Sequence, residues 1–484
     1  MTSTNGNGHR NGNGNGRVRG YSAWSLLRHG LSRSEWPRAW HERELRPSYD
    51  AVIIGGGVHG LATAYYLAKN HGMTNVAVLD RSYIGGGGSG RNTSILRSNY
   101  LTPEGVRFYD RSVKLYEHLA ARWGITNVAV IDKGYIGGGG SGRNTAIVRS
   151  NYLTPEGVAF YDRSVKLYQD LAAELNFNVM FSQRGHLTLA HNDASMRTMA
   201  WRTEVNKLQG VESAVIGPDE VKELVPYLDT SAETRYPILG ALYHPPGGVV
   251  RHDAVVWGYA RAADAHGVHI HQKTEVTGID VERGRVTGVQ TTRGRIATPV
   301  VLNATAGWSS LISDMAGVAM PVQTFPLQAA VTEPVRPFLD TVVVSGTLHV
   351  YVSQTDRGEL VFGASVDPFA SYSMRGSLEF TEGIAGHVLE LMPALAKMRL
   401  LRQWAGLCDM TPDYSPIMGP TPVEGFYVDV GWGTYGFKAG PVSGEAMAAC
   451  LAEGKPPEII SAFGLDRFLS GRLVGEKGAA AVGH

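Results

Sequence analysis

Gly55, Gly57 and Gly60 stand in a GxGxxG spacing, with His59 just before the last of them, and glycines so spaced can cradle a dinucleotide. The first makes a tight turn, the second lets a pyrophosphate approach the backbone, and the third lets helix pack closely on strand. The surroundings fit that use. Asp50–Ile54 reads as a short apolar strand, Leu61–Asn70 as a mostly apolar helix, and Asn75–Leu79 as a second strand ended by Asp80. The helix N-terminus would face the phosphates, and Asp80 would accept the ribose hydroxyls. An isolated GxGxxG is a weak signal, whereas the complete strand–helix–strand unit is a strong one. It serves NAD and FAD alike, so the choice must come from elsewhere.

A repeat complicates the elements that position these groups. Residues 75–126 recur at 127–178 with 39 of 52 positions identical. Two units are too few for a solenoid, which needs about three stacked repeats. The pattern is that of a slipped tandem copy: Leu67-Ala68 and Thr74-Asn75 recur as Leu119-Ala120 and Thr126-Asn127. Each copy offers a strand, a Gly-rich loop and an amphipathic helix, but one dinucleotide fold has a single slot for that set. The first copy follows the preceding helix at normal loop length, and the second runs unbroken into FNVMFSQRGHLTLAH. Looping out ~50 residues adds little closure entropy, so that cost does not choose between them. Asp132 duplicates Asp80 but lies 77 residues beyond Gly55, too far for the usual unit. The expectation is therefore that Asp80 acts in preference to Asp132, and that the unused copy leaves its strand without a partner.

At 484 residues the chain can bury a large core and form two interleaved domains. With 45 Lys and Arg against 44 Asp and Glu, no global field favours nucleic acid or an anionic membrane. Cys408 and Cys450 form no CxxC pair or zinc set, a usage that suits a reducing cytoplasm. No apolar run approaches the ~18–20 residues that span a bilayer. No metal cluster, Ser-His-Asp set or phosphoryl-transfer motif stands out. Residues 1–20 are Asn/Gly-rich and expected to be disordered. Between Arg10 and Arg46, eight Arg against three Glu interleave with Trp24, Trp36 and Trp40, as in an arm that docks on a partner or a loosely packed tail.

The segment GGGGSGRN, at 85–92 and again at 137–144, resembles the FAD-binding stretch of the D-amino-acid oxidase and sarcosine oxidase superfamily. So do TEVTGI (274–279), VVLNATAGWSS (300–310), TPDYSPIMG (411–419) and GWGTYGFKAGPVSG (431–444). The similarity runs from about Tyr49 to His484. RGHLTLAH, ILGALYHPPGGVVRHDAVVWGYA, HVYVSQTDRGELVFGA and EKGAAAVGH are similar, in order and spacing, to the heterotetrameric sarcosine oxidase β-subunit family. This resemblance implies an α/β fold, in which a Rossmann-like FAD domain of the glutathione-reductase type interleaves with an α+β substrate domain built on a large mixed or antiparallel sheet. The implied divisions are a tail and arm at 1–48, FAD-binding segments at 49–178, 271–320 and 406–484, and substrate-domain segments at 179–270 and 321–405.

The resemblance also implies site residues. FAD, held non-covalently, would touch Gly88, Ser89 and Asn92 or their duplicates Gly140, Ser141 and Asn144, the Val276 backbone at adenine, and Gly433, Gly436 and Lys438 at the flavin. Lys438 would also bind the substrate carboxylate or favour negative charge on reduced flavin or activated oxygen. Arg97 or Arg149 would clamp that carboxylate, a task suited to the guanidinium fork. A second flavin, FMN, would be held covalently by His252 at the interface with the large subunit, through a neutral imidazole nitrogen. Cys408, upstream of Thr411-Pro412-Asp413, is a rival attachment point spaced about two residues too short, and a buried small hydrophobe otherwise. The implied activity is oxidation of sarcosine, with oxygen reduced to peroxide and the one-carbon unit released as formaldehyde or passed to tetrahydrofolate, in company with α, γ and δ subunits. A single-flavin amine or D-amino-acid dehydrogenase, and a non-catalytic scaffold left by the duplication, remain open alternatives.

Overall fold

A computed structural model describes residues 39–75, 77–79, 128–131, 147–151, 155–434 and 436–474. Seven strands form the first sheet: β1 (Ala51–Ile54), β2 (Ala77–Leu79), β3 (Val128–Ile131), β4 (His269–His271), β5 (Val301–Asn303), β6 (Ile417–Pro420) and β7 (Phe426–Val430). Their order is β4-β2-β3-β1-β5-β7-β6, parallel except for the β6–β7 pair. Every residue of β1 is buried, as an apolar run covered on both faces requires.

Four helices matter for the site: α1 (Val58–His71), α2 (Pro155–Glu174), α3 (His252–Ala265) and α4 (Gly436–Glu453). Gly72 ends α1 in the left-handed conformation, φ 66°, and returns its N–H to Leu67 O. Small residues let α1 and α4 cross closely. A Cβ on Gly440 would lie 2.4 Å from Val58 Cγ2, and one on Gly444 2.4 Å from Ala62 Cβ. An eight-stranded mixed sheet forms the second layer, ordered Leu400–Met410, Gln323–Pro334, Glu359–Val366, Val350–Gln354, Val342–Ser345, His186–Ala190, Gly240–His244 and Ala214–Ile216. The Rossmann-like sheet with its helices and the large mixed sheet match the expected fold class.

The duplicated strands behave differently from expectation. β2 does not lack a partner: it pairs with β4, His269 opposite Ala77. β3 pairs with the same strand in the same register, His269 opposite Ala129. Residues 52 apart in sequence thus face one partner residue. Only β3 also pairs with β1, Ala51 opposite Val128 through Ile54 opposite Ile131. Beyond it, the second copy supplies α2, whose Tyr65–Glu174 hydrogen bond (3.0 Å) and Lys69–Glu174 ion pair (2.5 Å) tie it to α1. The slot beside β1 therefore goes to the second copy, although the first has the shorter connection. Loop length is a weak constraint, and the packing of α2 outweighs it.

Candidate active site

Gly55 has φ +117°, and a Cβ there would meet Ala304 O at 2.5 Å. Ala304 N in turn donates to Ile54 O at 3.0 Å, which binds the end of β5 over the turn. A Cβ on Gly60 would lie 2.0 Å from Gly55 O. Gly57 is the N-cap of α1, with no side-chain cap and no acid in the first turn, so the helix N-terminus is left to an anion. That cradle fits a dinucleotide pyrophosphate. Asn303 braces it, donating to Ser309 O (2.9 Å) and accepting from Thr305 Oγ1 (2.6 Å). Val276 opens an antiparallel three-stranded sheet and is buried. Asp80, Asp132, Gly88, Ser89, Asn92, Gly140, Ser141, Asn144 and Arg97 lie outside the described residues.

The acid that follows β3 is Asp132, and β3 is the strand next to β1. That pairing argues for Asp132, whereas connection length argues for Asp80. Asp132→Ala is expected to weaken FAD binding about tenfold or more, by losing a charge-assisted hydrogen bond, while Asp80→Ala leaves it nearly unchanged. Fluorescence titration of the apoprotein with FAD measures both, and a larger effect at Asp80 would restore the first copy.

Arg149 is 1 % exposed and donates from Nη1 to Thr188 Oγ1 at 3.2 Å, on the eight-stranded sheet. Its neighbours are held as firmly. Ser150 N donates to His244 Nε2 (3.0 Å), whose Nδ1 faces Glu212 O (2.7 Å), and Arg202 Nη2 donates to Asn151 O (2.6 Å). Burial pushes the His244 pKa down to about 3, keeping the neutral tautomer that this pairing needs. Lys438 is 2 % exposed in the first turn of α4. The backbone around it is held by α2: Ser164 donates to Lys438 O, and Tyr168 to Phe437 O at 2.8 Å. Both candidate cations are thus positioned by the second copy.

His252 begins α3 and is 2 % exposed. Burial takes its pKa down to about 3, against the raising effect of Asp253, so the imidazole is neutral. Asp253 forms a two-pronged pair with Arg251 (2.7 and 3.0 Å) and accepts from Ala254 N. Strand Ile147–Val148 pairs with Gly248–Val249, so one small sheet carries the segments leading to Arg149 and to His252. Cys408 lies buried in the strand Leu400–Met410, and burial with the adjacent Asp409 pushes its thiol far up, which disfavours the reactive thiolate.

The C-terminal loop is organised by residues that sequence reasoning did not single out. Asp409 accepts from Gly431 N at 2.6 Å, and its carbonyl accepts from Gly433 N at 3.1 Å. Gly433 itself has φ 52°, and a Cβ there would touch Met410 Sδ at 3.0 Å. Burial raises the Asp409 carboxyl to about 6 despite the Gly431 N–H that it accepts. Asp413 pairs with Arg467 through two bonds of 2.7 and 2.9 Å, fixing the TPD turn. A cavity of about 1010 Å³ opens beside Met410, Thr411 and Tyr414, and His349 and His387 also line it. Neither Arg149 nor Lys438 lines it. His59 does not present its ring to an open cradle but turns it onto Gly436, Asp429 and Ser443. Nothing in the spacing of FYVDVGWG announces Asp429.

The family description "FAD dependent oxidoreductase" (DAO) matches this chain over residues 50–126 and 117–450, the first stretch ending where the first copy ends. The chain is 43% identical over 468 residues to sarcosine oxidase subunit beta of Rhodobacter capsulatus, covering 96% of this chain and 100% of that one. It is equally identical over 462 residues to the namesake from Rhizobium meliloti, with 95% and 98% covered. Among solved structures, L-proline dehydrogenase from P. horikoshii superposes with a TM-score of 0.72 at 26% identity, covering 89% of this chain and all of that one. Glycine oxidase from Geobacillus kaustophilus shares the fold, at a TM-score of 0.68 over 87% and 99% of the two chains. A glycine cradle at a bare helix end, a family match over most of the chain and 43% identity over nearly its full length lead to one conclusion: the chain belongs to the FAD-dependent oxidoreductase family, and within it to the sarcosine oxidase β-subunit group.

Proposed function

We propose that this chain binds FAD non-covalently and oxidises sarcosine as the β subunit of a larger enzyme. The observation that carries the reading is the pair of buried cations, Arg149 and Lys438, in a chain so similar along its length to sarcosine oxidase β subunits. FAD, when bound, supplies the two-electron acceptor for the N-methyl carbon. The chain's share is orientation and electrostatics. Gly55, Gly57, Gly60 and the α1 N-terminus take the pyrophosphate, and Val276 the adenine. Arg149 clamps the substrate carboxylate, which leaves the amine and its methyl group as the end free to react. Lys438 adds a fixed positive charge where negative charge grows. Sarcosine, oxygen and water give glycine, formaldehyde and hydrogen peroxide; tetrahydrofolate, where present, takes the one-carbon unit instead.

The finer reading places FMN on His252, whose neutral imidazole is the form able to attack the flavin 8α-carbon. The partners would be α, γ and δ subunits. Among the described residues no helix is long and apolar enough to cross a membrane, and both cysteines are free, in keeping with a cytoplasmic enzyme. The test co-expresses the large subunit with this chain, and measures flavin type and sarcosine turnover. FAD is expected in the acid supernatant and fluorescence in the denatured β band, lost in His252→Ala. A signal that survives in His252→Ala and disappears in Cys408→Ala would move the attachment to the cysteine. A second reading is a single-flavin amine dehydrogenase; the likeness to L-proline dehydrogenase favours its dehydrogenase activity and leaves the flavin count to the test. FAD alone, with turnover independent of the large subunit, would select it.

A further inference from the structure

His59 sits in the glycine fingerprint, yet every bond of its ring goes to the C-terminal segment. Nε2 faces Gly436 O at 2.8 Å. A carbonyl only accepts, so Nε2 carries a hydrogen. Nδ1 faces Asp429 Oδ2 at 3.2 Å and Ser443 Oγ at 2.9 Å. Ser443 spends its one hydroxyl hydrogen on Asp429 Oδ2, 2.8 Å away, so its oxygen accepts from Nδ1, as does the carboxylate. Nδ1 therefore carries a hydrogen too. A neutral ring would set lone pairs against each other at buried positions, where each unmet polar contact is expensive. The other oxygen of Asp429 accepts from Trp432 Nε1 at 2.8 Å, and the Trp432 ring lies 4.7 Å from the imidazole.

We propose that His59 is a permanently protonated positioning residue, an imidazolium that locks the first turn of α4, and with it Lys438, onto the FAD cradle. Gly436, whose carbonyl it holds, is two residues before Lys438, and a Cβ at Gly436 would approach both Trp432 Cβ (2.9 Å) and His59 Nε2 (3.5 Å). The charged groups that act on the ring are Asp429 of β7 and Asp409 of the strand Leu400–Met410; α4 carries Lys438 and Glu445 on its buried side. Burial alone would push the imidazole down, but Asp429, Gly436 O and Asp409 together carry it above its ordinary value.

The positioning half rests on the reading of Lys438 given above, whereas the protonation half does not, and the experiment separates them. Histidine-labelled holoprotein is followed by nitrogen NMR from pH 6 to 9, with the His59 signal identified by its shift in Trp432→Phe. Both ring nitrogens are expected in the protonated range with no titration; one unprotonated nitrogen would overturn the assignment. Sulfite binding, read by bleaching of the flavin absorbance, then reports positive charge at the flavin without any amine substrate. His59→Gln is expected to retain FAD and to weaken sulfite binding about tenfold, and to add nothing in a Lys438→Met background. Additive losses would show that His59 does not act through Lys438. If Lys438→Met alone left sulfite binding unchanged, the reading of Lys438 would fail while the protonation state stood. Should His59→Gln lose its FAD, the same cycle run with Ser443→Ala decides the positioning, with additivity again overturning it.

Discussion

Deleting residues 75–126 is expected to leave a folded protein that binds FAD as fully as the whole chain and melts no lower. The join, Thr74 to Asn127, restores a normal connection from α1 to β3, and the second copy supplies β3, Arg149 and the α2 residues that hold the backbone at Lys438. Deleting 127–178 instead is expected to be damaging, although the two units are so alike. The copies diverge at their ends. Arg122 would replace Glu174, setting a cation beside Lys69 and Tyr65 where an acceptor now serves both. Trp123 would replace the fully buried Leu175, and Ile125 would replace Phe177, on which Gly258 packs. Overpacking by Trp123 costs about 1–3 kcal/mol, and losing the part-buried Tyr65–Glu174 bond about 1 kcal/mol more. Calorimetry with flavin content measures both deletions, the second melting about 5 °C below the first. If the 75–126 deletion lost FAD or failed to fold, the first copy would hold a structural role and the slipped-copy reading would fall.

Arg149→Ala is expected to lower kcat/KM for sarcosine by about 10²–10³-fold, the loss of a two-pronged charged contact at a water-poor site. Arg149→Lys should recover only part, because an ammonium cannot present the fork. Arg97→Ala should fall within twofold of the unmodified protein. Steady-state kinetics of the co-expressed enzyme gives the comparison, with circular dichroism and FAD content confirming that Arg149→Ala is still folded. Equal losses at both arginines would show that the two copies share the site.

The cradle was legible because glycine spacing reflects backbone geometry, and backbone geometry is local. Gly55 and Gly60 exclude a Cβ for the reasons their spacing implied. Arg149, Lys438 and His252 were named through motif resemblance, and all three are buried. The occupant of the slot beside β1 was not legible. Connection length pointed to the first copy, while the deciding contacts, Tyr65 and Lys69 with Glu174, join residues more than a hundred positions apart. The bracing of the C-terminal loop was equally hidden. Asp409, Asp429 and Ser443 are ordinary residue types at unremarkable spacings, and only the fold brings them to His59 and Gly431.

The shared register of β2 and β3 against β4 also orders events in time. The ribosome completes the segment at 77–79 before the one at 128–131, by roughly 3–10 s at ordinary elongation rates. Over that interval the nascent chain holds β1, α1 and the earlier segment, and β4 has not yet been made. The earlier segment, which matches its rival at every position from 75 to 78, is then on hand beside β1 before β3 exists. The finished sheet holds β3 next to β1, so any such early pairing is one that the later sequence displaces.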